Sequence, residues 1–257
     1  MEIHRTIEKN SQGMLIKRRK KLYFLHIPKT SGTSIFSALS DIAIQKELKM
    51  VGHVLLDHLV EHPKWAKSEI LVGHLGLLPL KYNFEYFTVL REPLERLYSH
   101  YSHIYRMPGH YLHKVVAGEK LDFESYLLDE RLLKLNYNMQ TRYLSCYPRI
   151  KNYPEKIFPQ EQAAFFENSI ETDVNLDLAI NTLNNASWVG TPSSLNELES
   201  FLQIKFHLTD VHIPALNVRP GPKKVFTSSE IRAAKPLTEL DQFIFDKFGN
   251  RHKFLPV

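Results

Sequence analysis

Between residues 28 and 34 the chain reads Pro28-Lys29-Thr30-Ser31-Gly32-Thr33-Ser34, which places one cation, four hydroxyls and a glycine in seven positions. A short apolar run, Leu22 to Leu25, precedes this loop, and Ile35, Phe36 and Leu39 follow it at helical spacing. A strand that ends in such a loop and reopens as a helix is suited to holding an anion. The first amides of the helix have no intrahelical partner, and the helix dipole favours negative charge there. Lys29 adds a point charge, Gly32 permits a tight backbone, and Thr30, Ser31, Thr33 and Ser34 can donate hydrogen bonds. These residue types predict a ligand that carries phosphate or sulfate. A helix start capped by Thr and Ser that binds nothing would use the same residues.

Two further stretches could act with the loop. Glu69 to Leu75 reads as a strand that stops at Gly73 and leaves His74 at its carboxyl end, where open parallel sheets border their ligand crevice. Tyr86 to Leu90 reads as a buried strand that runs into Arg91-Glu92-Pro93-Leu94-Glu95-Arg96-Leu97-Tyr98-Ser99. Pro93 suits a first helical turn, so Arg91 sits at a strand–helix junction with Ser99 about two turns along. A guanidinium and a hydroxyl placed in this way could converge on a second phosphate. Arg91 could equally pair with Glu92 or Glu95 and leave Ser99 solvated. The loop is not a Walker A motif, because Lys29 precedes the only glycine, Gly32, instead of following a second one.

Taken together and in order, His-Ile-Pro-Lys-Thr-Ser-Gly-Thr-Ser, Gly73-His74 and Arg91-Glu-Pro-Leu-Glu-Arg-Leu-Tyr-Ser99 resemble the sulfotransferase family that includes heparan sulfate and dermatan/chondroitin 2-O-sulfotransferases. Asn138-Met-Gln-Thr-Arg-Tyr-Leu144 and Trp188-Val-Gly-Thr are similar to later segments of the same family, so the resemblance runs from Tyr23 to Leu202. It implies a P-loop-like three-layer α/β sandwich with a mostly parallel sheet. It also implies 3'-phosphoadenosine 5'-phosphosulfate (PAPS) as co-substrate, 3'-phosphoadenosine 5'-phosphate (PAP) as product, and no metal. Lys29, Thr30, Ser31, Gly32, Thr33 and Ser34 would then hold the 5'-phosphosulfate, and Arg91 and Ser99 the 3'-phosphate. His74 would serve as general base, and Lys29 would stabilise the leaving group. The chain departs from the 2-O-sulfotransferases where they carry His-x-His, since Leu71-Val72-Gly73-His74 keeps only the final histidine. The expected acceptor is a saccharide or another hydroxyl compound.

The remaining elements must position these residues. The pattern predicts a helix from Thr33 to about Lys49, an ambiguous stretch over 51–58, and a loop-rich insertion from Arg106 to Lys120. A helix over Leu121–Leu135 should follow, then an aromatic and basic loop over 136–160. That loop could line an acceptor groove, with Arg142 and Arg149 as anion contacts. Trp188–Gly190 reads as a strand, Leu195–Leu202 as a helix, and Ser228–Phe248 as one or two helices with Phe243, Ile244 and Phe248 in the core. The turn-rich basic stretch from Asn217 to Lys224 offers Arg219 and Lys223 as possible phosphate contacts, or as a solvated loop.

At 257 residues, with 43% hydrophobic and 24% charged residues, the chain has the composition of one globular domain, 1–257, and not of a disordered or fibrous protein. The single cysteine, Cys146, excludes an intrachain disulfide and is read as a packing residue; a reducing cytoplasmic setting is expected. No apolar stretch approaches bilayer length, so no stable membrane insertion is expected. The net charge of +5 suits an anionic co-substrate, an anionic acceptor or nucleic acid without choosing among them. Among the thirteen histidines, His100-x-x-His103 and His110-x-x-His113 have spacing that could hold a metal, but no Cys or carboxylate pattern completes a site. Two other functions compete with sulfuryl transfer. A nucleotide kinase would place its lysine after Gly32 and an acid after the Tyr86–Leu90 strand. A non-catalytic polyanion-binding module would leave the two ordered motifs unexplained, and nucleic acid is not the expected partner.

Overall fold

The computed structural model describes residues 8–9, 15–16, 21–52, 64–146, 174–216 and 223–249. Two short strands, β1 (Glu8–Lys9) and β2 (Leu15–Ile16), pair antiparallel at the edge of the chain. The main sheet has five parallel strands: β3 (Lys21–Leu25), β4 (Met50–Val51), β5 (Ile70–Gly73), β6 (Phe84–Val89) and β7 (Trp188–Gly190). Their spatial order is β4-β5-β3-β6-β7, so the first long strand lies in the middle.

Leu22 to Leu25 are completely buried because both faces of β3 are covered, as a continuous apolar run requires. Leu22 and Phe24 point with Ile70, Val72, Phe87 and Trp188 to one side, under α1 (Gly32–Gln45) and α7 (Leu195–Phe206). Tyr23 and Leu25 point with Leu71 and Tyr86 to the other, under α5 (Met139–Ser145), α6 (Leu176–Asn185) and the end of α8 (Ser228–Phe248). The expected three-layer α/β sandwich is therefore present. A third apolar cluster joins α2 (Pro93–Arg106), α3 (Phe123–Leu128) and α4 (Glu130–Asn136) to α8 through Leu97, Tyr126, Leu132 and Leu237. No described helix is long and apolar enough to cross a membrane.

Several expectations are corrected. The helix predicted over Leu121–Leu135 is two helices, because Asp129 caps the second by accepting from the Arg131 amide and so stops the first. The stretch expected as an aromatic loop from residue 136 starts as helix instead: Asn136 ends α4, and α5 follows with every side chain from Met139 to Leu144 buried. Phe243 is 47% exposed, whereas Ile244 and Phe248 enter the core, because one turn of α8 cannot turn all three inward. Cys146 is buried, and its carbonyl accepts from Leu77, in keeping with a packing role.

Candidate functional site

The chain crosses from β5, on one side of β3, to β6 on the other, so the strand order reverses between β3 and β6. At such a switch point the loops leaving the carboxyl ends of the strands diverge and leave a crevice. The two loops that flank it are His26–Ser31 after β3 and Leu90–Glu92 after β6. They touch directly, since Arg91 Nη1 donates to the Lys29 carbonyl at 3.2 Å. His74 follows β5 on the other flank, level with His26 because Leu25 and Gly73 are partners in the register.

In the first loop Lys29 and Ser31 adopt left-handed backbone angles, φ 72° and 68°. That conformation is strained for a residue with a side chain, and it is the one that turns successive amides into an anion-binding concavity. Helix α1 starts at Gly32 with no side-chain cap. Among the described residues no acceptor meets the amides of Gly32, Thr33 or Ser34. Two of the four hydroxyls already serve the protein. Thr30 is fully buried and donates to the Ile27 carbonyl at 2.8 Å, and Ser34 Oγ accepts the Leu216 amide at 3.1 Å. Thr33 is exposed and Ser31 half-buried, so theirs are the two hydroxyls at the helix start that remain accessible.

Gly32 has a steric reason to be glycine. A Cβ there would stand 1.8 Å from His26 Nε2, so the loop lies directly on the His26 ring. That ring stacks on Phe24, with centroids 5.1 Å apart, and faces His74 at 4.3 Å. His74 Nδ1 lies 2.7 Å from the His26 carbonyl. A carbonyl can only accept, so Nδ1 carries the proton, and in the neutral ring Nε2 keeps its lone pair. The turn that carries His74 is held from below by Tyr23, whose hydroxyl reaches the Gly73 and Gly76 carbonyls at 3.1 and 3.2 Å and accepts the Leu75 amide at 3.2 Å.

The electrostatics are one-sided. Burial, with Arg91, Arg106 and Arg96 nearby, pushes the Lys29 ammonium down to about 8. Burial also lowers Arg91, against the opposing pull of Glu95 and Glu92. The same field acts on α2 and the turn after it. His103 and His110 are both pushed down to about 4, by burial first and by neighbours that include Lys29, and buried His100 goes well below the normal histidine range. An anion placed here would meet Lys29, whose charged neighbours Arg91, Arg106 and Arg96 are all cations. Among the described residues no group of His, Cys, Asp or Glu could hold a metal ion, so the His100 and His110 pairs form no such site.

The remaining sequence candidates divide. Ser99 is half-buried on α2, and among the described residues no hydrogen bond joins it to Arg91. Lys223 reaches the same neighbourhood, 2.7 Å from Glu95, which lies 3.8 Å from Arg91. Arg142 is 1% exposed and donates to the Lys134 carbonyl, so it does not line a groove. Arg149 and Arg219 lie outside the described residues. Sequence reasoning missed His26, Tyr23 and Gln140. The last clasps the Arg91 backbone, accepting from its N–H and donating to its carbonyl, both at 2.9 Å. The Asn138–Leu144 likeness was the one signal that pointed near it.

No curated protein matches the chain. The family model described as "Sulfotransferase family" matches residues 12–171, more than half of the chain, and that span contains the Lys29 loop, His74, Arg91 and Ser99. With its parallel three-layer fold and a cationic crevice at the strand-order reversal, the chain belongs to the sulfotransferase family.

Proposed function

We propose that this sulfotransferase moves the sulfuryl group of PAPS to an acceptor hydroxyl, with His74 as general base and the Lys29 loop and Arg91 gripping the two phosphate-bearing ends of the nucleotide. The observation that carries the reading is the meeting of three strand ends. The Lys29 and Arg91 loops share a hydrogen bond, and His74 is fastened to the backbone three residues before Lys29.

The residues present fit such a donor. Gly32, Thr33 and Ser34 offer amides without acceptors, Ser31 and Thr33 offer hydroxyls, and Lys29 and Arg91 offer charge on either side of the switch point. PAPS supplies an activated sulfur whose bond to the bridging phosphate oxygen breaks as the acceptor oxygen bonds to it. His74 Nε2 takes the acceptor hydroxyl proton, and the Nδ1–H bond to the His26 carbonyl keeps the ring aimed and stabilises its positive charge. Lys29 stabilises the charge that develops on the departing phosphate. The Lys29 ammonium can hydrogen-bond that oxygen as its charge develops. The leaving group is PAP. Positioning and charge stabilisation carry such an in-line transfer, as they do for phosphoryl groups.

A saccharide is the acceptor class we favour. The test couples an acceptor screen with labelled sulfate to His74→Ala. Turnover should fall on the order of a hundredfold or more while PAP affinity by calorimetry stays unchanged. Retained turnover removes His74 from the role.

A further inference from the structure

Arg91 stands where β6 has ended, at Val89, and α2 has not begun. Its backbone N–H and C=O are therefore outside both the sheet ladder and the helix, and Gln140 satisfies both. A primary amide is the side-chain group that offers a donor and an acceptor side by side, so it can bind a peptide unit as a neighbouring strand would. Gln140 is itself fully buried, and its own backbone is pinned. Its N–H donates to Asp241 Oδ2 at 3.1 Å, and the Thr141 N–H and Oγ1 both donate to Asp241 Oδ1 at 2.8 Å. One residue earlier in α8, and at Asp241 itself, the backbone is gripped in return. Asn138 Oδ1 accepts the Leu240 and Asp241 amides at 2.9 and 3.2 Å, and the Asn138 amide donates to the Leu237 carbonyl at 2.7 Å.

We propose that Gln140 is the positioning residue of Arg91 and that Asp241 holds Gln140 in place, so that recognition of the nucleotide 3'-phosphate depends on α8, a helix beyond the span that the family model matches. This rests on the reading of Arg91 as the 3'-phosphate contact. The chain of bonds is short and buried at its Asp241 end: carboxylate to amide, amide side chain to the Arg91 peptide groups, and half-buried Arg91 Nη1 onward to the Lys29 carbonyl. A shift of α5 relative to β6 would move the guanidinium without removing any group that touches the nucleotide. Stitching α5 to α8 for stability alone would use the Asn138 and Thr141 bonds; it has no need for a side chain that clasps both backbone groups of Arg91.

Calorimetry with PAP and with adenosine 5'-monophosphate separates the two roles, because only the first ligand carries the 3'-phosphate. Gln140→Met keeps the volume and removes both bonds. It should lose about tenfold in PAP affinity and leave the monophosphate unchanged. Asp241→Asn, the second variant in case the first does not fold, should shift PAP in the same direction by a smaller factor. Arg91→Ala should abolish the preference for PAP, and adding Gln140→Met to it should cost nothing more. Equal losses for both ligands, or no loss, in a folded Gln140→Met or Asp241→Asn protein overturn the inference while Arg91→Ala still shows its effect. Should Arg91→Ala keep the full preference for PAP, the 3'-phosphate reading itself falls and takes this inference with it.

Discussion

Gly32→Ala sets two effects of opposite sign against each other. Gly32 is the first residue of α1, and alanine is the better helix former by up to about 1 kcal/mol. Against this, the new methyl would lie 1.8, 2.0 and 2.6 Å from three atoms of the His26 ring. Restoring a normal contact of about 3.5 Å requires the ring to retreat by roughly 1.7 Å. It has nowhere to go, being packed between Phe24 and His74 with 8% of its surface exposed. Overpacking of this kind costs about 1–3 kcal/mol, so we expect a net loss of about 1–2 kcal/mol in urea unfolding. Activity should suffer more than stability. His74 leans on His26 through both its ring and its carbonyl, and a shift of about 1 Å at a reacting group costs up to a hundredfold. Sulfate transfer should therefore fall about tenfold to a hundredfold in the folded protein. The decisive arm is a cycle with His26→Ala. Once the ring is gone, Gly32→Ala should become neutral or stabilising. An equal loss in both backgrounds would refute the steric reasoning.

Two further outcomes follow from the same geometry. Lys29→Met should raise the melting temperature at neutral pH while removing nucleotide binding. In the folded protein Lys29 releases its proton near 8 instead of at its ordinary 10.5, so over that window the unfolded chain binds more protons, and the wild-type protein should gain stability as pH rises from about 8 to 10.5. The variant should lose that slope in pH-dependent melting, and a slope that persists would deny Lys29 its buried charge. Tyr23→Phe should cost about 1–3 kcal/mol, because it strands the Leu75 amide and loosens the Gly73–Gly76 turn. It should also lower turnover without changing PAP affinity, and an unchanged turnover number would show that the turn does not aim His74.

The parts of the molecule that could be read along the chain are those whose physics is local. Leu22–Leu25, the Lys29–Ser34 loop and Ile35 onward are contiguous, so a buried strand, a short turn and a helix start with open amides follow from residue type and spacing. The same holds for β6, Arg91 and Pro93. Even so, burial changed what individual residues do. Thr30 and Ser34 carry hydroxyls suited to an anion but bond to Ile27 and Leu216, and Arg142, a residue that usually seeks water, sits inside with Lys134. The fold alone brought distant residues together. His74 takes its orientation from His26, 48 positions away, Arg91 is held by Gln140, 49 away, and Gln140 in turn by Asp241, 101 away. Hydrogen bonds of that span leave no periodicity and no spacing rule in the chain. They exist because the parallel sheet levels the ends of β3, β5 and β6 and packs α5 and α8 against them, and only folded backbone positions set the few-ångström distances on which the chemistry depends.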